Sequence, residues 1–576
     1  MPPLSRKLTV TIGQSSDKGR KEINQDCHGV LVPDEPLLSL KGIAVALADG
    51  ISSSSVGRIA SEAAVRSFLS DYYCTSDSWA VKTSAQRVIA ATNSWLHAQT
   101  RRGPHPYDKD KGYVCTFSVM VLKSATAHLF HVGDARIYRV SDQSLEQLTT
   151  DHRVRISSEQ TYLARALGMN PQIEIDYQAL PLGRGDIFIA ATDGVYEHVG
   201  ARRIIEVVAA AADDLDGAAR DILAEAYDSG SPDNLTVQII RIDDLPDDDA
   251  QDILGPAAGL PAPPLLEARQ LIDGYRIVRP LHASSRSHIY LAVDPDDEAL
   301  VAIKIPSIDL RDDPAYLKRF AMEEWVARRI DSPHVLKPRP PARERSALYV
   351  VTEFIDGQTL AQWMIDHPRP DLATVRAIVE QIAAGLRAFH RKEMLHQDLR
   401  PANVMIDKTG TAKIIDFGSV HVAGVVETAP SVEATDIQGT HQYAAPEYFI
   451  GEAGSPRSDI YSLGVITYQM LTGRLPYGTA MATARTRSQQ RRLRYATAFD
   501  EDRETPAWID ETLRQAVHPD PHKRYAHLSE FVYDLRHPRA TPPRPLAQRN
   551  PLLFWKLLSL ALTLTVAALL FLLSRR

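Results

Sequence analysis

The chain has 576 residues, 44 % of them hydrophobic, enough for several packed domains. A formal net charge of −7 argues against nucleic acid as the main partner. Three cysteines, Cys27, Cys74 and Cys115, show no metal-ligand spacing and read as reduced thiols of a cytosolic setting.

The N-terminus, MPPLSRKLTVTIGQ, lacks the apolar h-region of a signal peptide. Apolar runs at Gly42–Ala48, Asp186–Ala191 and Leu235–Ile242 read as strands buried in a sheet sandwich. Spacing near 3.6 predicts helices over Ser55–Tyr73 and Thr83–Thr100, and 114–122 with 127–132 reads as a hairpin. Residues 243–270 are acidic and then Pro/Ala-rich, a linker composition. From 271 to 537 strand patterns come first and helical ones follow after about Leu360, a small β lobe before a larger α lobe. Residues 538–551 form a Pro/Arg spacer. Residues 552–573, LLFWKLLSLALTLTVAALLFLL, contain one charge, Lys556. As a helix they would reach about 33 Å at roughly 1.5 Å per residue, enough for a bilayer core. A transmembrane helix is therefore expected, with Trp555 and Lys556 at the interface.

Aspartates stand at the ends of the apolar runs. In order they are Asn24-Gln25-Asp26, Ala48-Asp49-Gly50, Gly133-Asp134-Ala135-Arg136, Thr192-Asp193-Gly194 and Asp233-Asn234. A single Asp-Gly at a strand end is an ordinary turn. Several carboxylates gathered from distant positions onto rigid strands suit Mg²⁺ or Mn²⁺, hard cations that prefer oxygen. Two such ions can drive phosphoryl hydrolysis.

The order and spacing of these five motifs resemble the metal-dependent PPM-type (2C-class) serine/threonine phosphatases over residues 8–242. The resemblance implies an α/β sandwich of two antiparallel sheets flanked by helices. It implies that Asp49 bridges two ions, that Gly50 offers its carbonyl, and that Asp193 and Asp233 complete one shell. Asp134 would serve a third ion, Asp26 would act from the second shell, and Lys21 would bind substrate phosphate. The chain departs from the pattern at Lys21 (usually Arg), Gln25 (usually Glu) and Ser52-Ser53 (usually a Gly pair). Lysine cannot make the bidentate fork of arginine.

The second region carries Val301-Ala302-Ile303-Lys304, then Glu323, then His396-Gln397-Asp398-Leu399-Arg400-Pro401-Ala402-Asn403, Asp416-Phe417-Gly418 and Ala445-Pro446-Glu447. Phosphoryl transfer from ATP needs a cation on the phosphates, a group orienting it, metal-binding oxygens and a base. Residues 275–536 resemble a eukaryotic-like serine/threonine protein kinase with a bilobal α+β fold. By that resemblance Lys304 binds ATP phosphates, Glu323 fixes Lys304, Asp398 is the base with Arg400 beside it, and Asn403 and Asp416 hold Mg²⁺. Glu353 to Ile355 would be the adenine hinge, and Arg524 would pair with Glu447. The nucleotide loop departs most: His282, Ser284 and Ser287 stand where glycines are expected, with Ser284 left to meet phosphate. Gln397 replaces the arginine that meets an activation-loop phosphate.

The expected protein is a bifunctional enzyme using ATP and two or three Mg²⁺ or Mn²⁺ ions. Its partners would be proteins bearing Ser/Thr or their phosphorylated forms, itself included at Thr428, Ser431, Thr435 and Thr440, with no nucleic acid. It would sit in the cell (inner) membrane as a single-pass protein with cytoplasmic catalytic domains. The alternative is an active phosphatase regulated by a pseudokinase.

Overall fold

The computed structural model describes residues 6–574 other than 142–143, 156–160, 212, 247–259, 285, 340–342, 428–441, 499–505 and 539–550. Residues 247–259 of the expected linker, nearly all of the expected spacer and all four candidate phosphorylation positions lie outside the described residues. The chain divides into two compact units. One is Met1–Asp356 with Gly385–Gln397 and Ile414–Gln438; the other is Gly357–Ala384 with Asp398–Lys413 and Gly439–Arg576.

The first unit begins with β1 (Thr9–Asp17), β2 (Asp26–Leu31), β3 (Ile43–Asp49), α1 (Gly57–Cys74), α2 (Val81–Arg102), β4 (Phe117–Lys123) and β5 (Thr126–Val132). It continues through β6 (Arg136–Ser141), β7 (Ser144–Gln147), β8 (Asp176–Pro181), β9 (Ile187–Ala191), α3 (Leu215–Asp228) and β10 (Leu235–Asp244). These strands form two five-stranded antiparallel sheets, ordered β1-β10-β9-β6-β7 and β8-β5-β4-β3-β2. The predicted strands, helices and hairpin are all present, their ends shifted by no more than three residues.

Side chains alternate along a strand, so β3 faces two ways. Ile43, Val45 and Leu47 pack with Met120, Leu129, Phe188 and Ile240 between the sheets. Ala44, Ala46 and Ala48 turn outward to Ala60, Ala64 and Phe68 of α1 and Ile89 of α2. Both faces are buried, which is why β3 reads as one apolar run rather than an alternation. On the outer face of the other sheet, Ile189, Val237 and Ile239 pack on Leu215, Ala218 and Ile222 of α3. The layers are helix, sheet, sheet, helix.

A third five-stranded sheet belongs to the same unit: β11 (Leu271–Ile272), β12 (Tyr275–Ala283), β13 (Ser287–Val293), β14 (Leu300–Pro306) and β15 (Val350–Glu353), in that order. Its core joins Ile277, Tyr290, Val301, Ile303 and Val351. Between β14 and β15 runs α4 (Pro314–Arg329). Asp313 caps it by accepting from the amides of Ala315 and Tyr316, and Pro314 stands where a missing N–H is harmless.

The helical region after residue 360 carries α5 (Leu372–Arg391), α6 (Pro456–Thr472), α7 (Ala507–Ala516) and α8 (Leu528–Arg536). Within the second unit, Arg524 forks onto Glu447 with Nη2–Oε2 at 2.7 Å and Nη1–Oε1 at 2.9 Å, both residues buried. Ser458 of α6 also donates to Glu447, at 2.6 Å.

The expected membrane segment forms one helix, α9 (Pro551–Ser574). Among the described residues, however, no helix is long and apolar enough to cross a membrane. Side chains of α9 are described only over 554–566, a stretch shorter than the roughly 20 residues a bilayer requires. The transmembrane expectation therefore gains no support from the described residues.

Removing one partner of a buried ion pair leaves the other charged and unsolvated. Arg524→Met is expected to destabilise the helical region by about 3–5 kcal/mol. Chemical denaturation followed by tryptophan fluorescence checks this.

Candidate active sites

The aspartates of the first domain meet where strand ends converge. In the β2–β3 register Asp26 lies directly opposite Asp49. Thr116 fixes the end of β3: its Oγ1 accepts from the Asp49 amide at 3.0 Å, and its own amide donates to the Asp49 carbonyl at 2.8 Å. Asp193 follows β9 and Asp233 precedes β10. Their loops touch closely at Gly194, where a Cβ would fall 2.1 Å from the Asn234 carbonyl oxygen. Only glycine allows that approach.

Asn234 holds the opposite loop. Its Oδ1 accepts from the Gln25 amide at 2.8 Å, and its Nδ2 donates to the carbonyls of Lys18 and Ile23 at 2.9 and 3.0 Å. Asp26 is secured by two hydroxyls, Thr236 at 2.7 Å and Thr192 at 3.0 Å, both on Oδ2. Its Oδ1 is buried without a donor. Thr116, Thr192, Asn234 and Thr236 were not assigned roles in the sequence analysis. Thr192 and Asn234 stood inside quoted motifs; nothing signalled Thr116 or Thr236.

Burial sets the electrostatics. It pushes the Asp26 carboxyl up to about 6, against the two threonine hydroxyls. It pushes Asp193 up to about 7, with Asp134 and Asp233 adding to the rise and Arg153 opposing it. Asp49 is raised well above the carboxylate range by burial and then by Asp26, Asp193, Asp134 and Asp233. Asp134 is raised by burial and lowered in part by Arg153.

Two basic residues stand among these acids. The Arg153 guanidinium contacts Asp134 through Nε, Asp193 through Nη2 at 2.8 Å and Glu197 through Nη1 at 2.6 Å. Lys21 lies 3.3 Å from Asp233 Oδ1 and 3.4 Å from Ser52 Oγ. So the predicted phosphate-binding lysine does join the cluster, beside one of the serines that replace the glycine pair. Arg153 was missed because nothing around it in the sequence marks it as part of a site.

Among the described residues, no three His, Cys, Asp or Glu side chains stand at metal-ligand spacing. The aspartates are in electrostatic reach of one another, with Arg153 spanning Asp134 and Asp193. The residues nonetheless fit divalent cations: the donors are hard oxygens, Asp26 Oδ1 lacks a partner, and the acids suppress one another's ionisation.

In the third sheet, Lys304 Nζ lies 2.5 Å from Glu323 Oε2 on α4 and 3.3 Å from Asp416 Oδ1. Burial disfavours the ammonium, but Asp416 and Glu323 together hold its pKa above the usual lysine range. Burial raises Glu323 to about 7, with Lys304 opposing. One ammonium thus faces two carboxylates, a balance that suits a further cation. Asp416 has φ 70°, and so has left-handed backbone that few non-glycine residues adopt. Glu353 pairs with Lys337, amide to carbonyl at 3.0 Å, and Ile355 is buried.

The loop between β12 and β13 is closed by a serine. Ser284 Oγ accepts from the amides of Ser287 at 3.1 Å and Arg286 at 3.3 Å, and the Ser284 amide donates to the Ser287 carbonyl at 3.0 Å. Those two amides are engaged inside the turn. In the second unit, Asn403 Nδ2 donates to Asp398 Oδ2 at 3.0 Å and to its carbonyl at 2.8 Å, while Arg400 Nε stands 3.4 Å from Asp398 Oδ2.

Comparison with known proteins finds two families along the chain. The protein kinase domain family matches residues 275–533, and the protein phosphatase 2C family matches residues 14–226. The serine/threonine-protein kinase PknL of Mycobacterium bovis is 30% identical over 274 residues, 47% of this chain and 67% of that protein. The chain belongs to the serine/threonine protein kinases. Its kinase domain follows a phosphatase domain of the 2C type. The kinase PrkC of Bacillus subtilis is 27% identical over 277 residues, 47% of this chain and 41% of that protein. PknA of Corynebacterium glutamicum is 30% identical over 280 residues, and the match spans 58% of its length. The match therefore spans only about half the length of these last two relatives.

Among solved structures, the Mycobacterium tuberculosis PknI kinase domain is 25% identical, with TM-score 0.37; the match covers 47% of this chain and 98% of that one. The catalytic domain of the phosphatase PstP, solved with two manganese ions, is 23% identical, with TM-score 0.35; the match covers 41% of this chain and 100% of that one.

Mutual repulsion in the aspartate cluster should be measurable without any metal. A raised carboxyl pKa contributes stability that is present below the unfolded value near 3.8 and lost as pH rises through the folded values of about 6 and 7. In excess chelator at pH 7.5, Asp49→Asn is expected to raise the first domain's Tm by about 2–4 °C, for roughly 1 kcal/mol relieved. Calorimetry should also find that this gain shrinks toward pH 5.

Proposed function

We propose that this chain attaches phosphate to protein serine and threonine and also removes it. The observation that carries the reading is the pairing of two constellations. Asp26, Asp49, Asp134 and Asp193 repel one another in one buried cluster, and Lys304 is already joined to Glu323 and Asp416.

In the phosphatase domain, Asp49, the Gly50 carbonyl, Asp193 and Asp233 would hold two Mg²⁺ or Mn²⁺ ions, with Asp134 available to a third. When bound, such ions lower the pKa of water and neutralise charge on phosphoryl oxygens. Lys21 would draw the substrate phosphate in as a point charge. Asp26, held by Thr192 and Thr236, would support metal-bound water from behind the direct ligands.

In the kinase domain, Glu323 orients Lys304 toward ATP phosphates, and Asn403 and Asp416 would hold Mg²⁺. Asp398, steadied by Asn403 and Arg400, would accept the proton of the attacking hydroxyl. The backbone of Glu353 to Ile355 would receive adenine. Ser284 would meet phosphate through its hydroxyl only by giving up its contacts within the turn. That engagement favours a second reading, in which the kinase domain binds ATP or partners without transfer and regulates the phosphatase.

The same proposal anchors the chain in the cell membrane by α9, single-pass, with both catalytic domains in the cytoplasm. Its support is the composition of residues 552–573, apolar but for Lys556 and a few hydroxyls, and the exposure of Leu560, Leu562, Leu564 and Val566. Truncation before Pro551 is expected to move the protein from washed membranes to the soluble fraction; a truncated chain that stays with membranes refutes the anchor.

Asp49→Asn in the full chain is expected to lower turnover of a phosphothreonine peptide by at least about 100-fold while leaving transfer from labelled ATP intact. Lys304→Met and Asp398→Asn should each abolish transfer and spare hydrolysis. Hydrolysis undiminished by chelator would defeat the phosphatase reading. ATP binding without any transfer would establish the pseudokinase.

A further inference from the structure

Helix α2 of the phosphatase domain starts without a cap of its own. Its N-cap is Ala80, no side chain serves that position, and its first turn contains no acidic residue. A 22-residue helix leaves free amides and a partial positive charge at such an end. Two glutamates from far along the chain supply what is missing. Glu393 accepts from the Ala80 amide at 3.0 Å and from Thr83 Oγ1 at 2.7 Å. Glu427 accepts from the Val81 amide, with Oε2 at 3.1 Å and Oε1 at 3.2 Å.

Beside them lies Lys123, the last residue of β4, whose side chain is fully buried. Its ammonium donates to the Gly424 carbonyl at 2.5 Å and to Glu427 Oε2 at 3.1 Å. An ammonium in this position without Glu427 would be buried and unpaired, a strongly unfavourable state. The loop before α2 completes the contact. Ser78 Oγ donates to the Lys392 carbonyl at 2.6 Å, Trp79 Nε1 to the Arg391 carbonyl at 2.9 Å, and the Gly424 amide to the Ser78 carbonyl at 3.0 Å. Asp77 pairs with Arg329 at 2.7 Å. At Gly424 a Cβ would stand 2.7 Å from the Trp79 carbonyl oxygen and 2.9 Å from that of Asp77. All of these residues belong to the first compact unit.

The positions gripped on the kinase side are informative. Residues 421–427 follow Asp416-Phe417-Gly418 directly, and Arg329 ends α4, the helix that carries Glu323. Lys304, Glu323 and Asp416 are drawn together in this same arrangement. On the phosphatase side the cradle is remote from the aspartates. Leu122 pairs with Ile43, at the opposite end of β3 from Asp49, roughly 20 Å away at about 3.3 Å per residue. The cradle and the phosphatase centre therefore lie at opposite ends of β3.

We propose that the loop 75–80, the start of α2 and Lys123 form a docking cradle for kinase residues 391–393 and 421–427, and that occupation of the cradle supports the kinase's nucleotide site. This rests on the kinase reading above, so the experiment separates the two. In the full chain, Gly424→Leu should force the segment out of the cradle, and Glu393→Gln with Glu427→Gln should weaken it. Hydrogen exchange at 78–83 and 421–427 is expected to rise in both variants. Affinity for a fluorescent ATP analogue and transfer to casein should fall about tenfold, within the range of coupling energies between distant sites. Hydrolysis of p-nitrophenyl phosphate should stay within twofold of wild type, which shows that the phosphatase fold persists. Unchanged exchange at both segments overturns the docking. Raised exchange with nucleotide affinity within twofold of wild type, or higher than wild type, overturns the support. A wild-type chain that binds ATP but never transfers phosphate defeats the kinase reading alone, because nucleotide affinity still reports on the cradle.

Discussion

Taking a charged group out of water is strongly unfavourable unless an opposite charge or several hydrogen bonds replace the solvent. That constraint shapes every part of this chain where chemistry or docking is concerned. Acids outnumber bases in the phosphatase cluster, and burial first and mutual repulsion second suppress their ionisation. One lysine is shared by two acids in the kinase site, and its charge is retained. Arg524 and Glu447 match one to one and serve as structure. The same rule gives three results because the ratio of charges differs. An excess of one sign marks a place built to receive something else.

Placement of these charges depends on the backbone. Asp26 and Asp49 face each other because β2 and β3 pair in one register, and Asp193 and Asp233 are brought near by a glycine that lets two loops touch. Gln397, before Asp398, shares with Asp416 a left-handed backbone, at φ 63°. Such conformations persist only where surrounding contacts over-determine them.

Much of this was legible in the sequence. The apolar runs ending in aspartate became strands, since a run buried on both faces needs no alternation. Lys304, Glu323 and Asp416 were named from motif order, and they meet. Lys21 was placed by the phosphatase resemblance and lies beside Asp233. What escaped was whatever depends on long-range contact. Arg153 carries no local signature, since its meaning comes from Asp134, Asp193 and Glu197, each tens of residues or fewer away but on other elements. The serines of the nucleotide loop were expected to reach phosphate, yet Ser284 turns inward to its own loop's amides. A missing helix cap at Ala80 could have been noticed, but its replacement by Glu393 and Glu427 could not, being more than 300 residues distant.

The two faces of β3 are of unequal size. Isoleucine, valine and leucine fill the space between the sheets, while only alanines face α1 and α2. Deleting a single residue from this strand would exchange the two sets, setting bulky side chains against the helices and alanines in the middle of the sandwich. It would also shorten the span that separates Asp49 from Lys123. Length variation among relatives of this chain should therefore avoid residues 43–49 altogether, even where the side chains themselves have drifted.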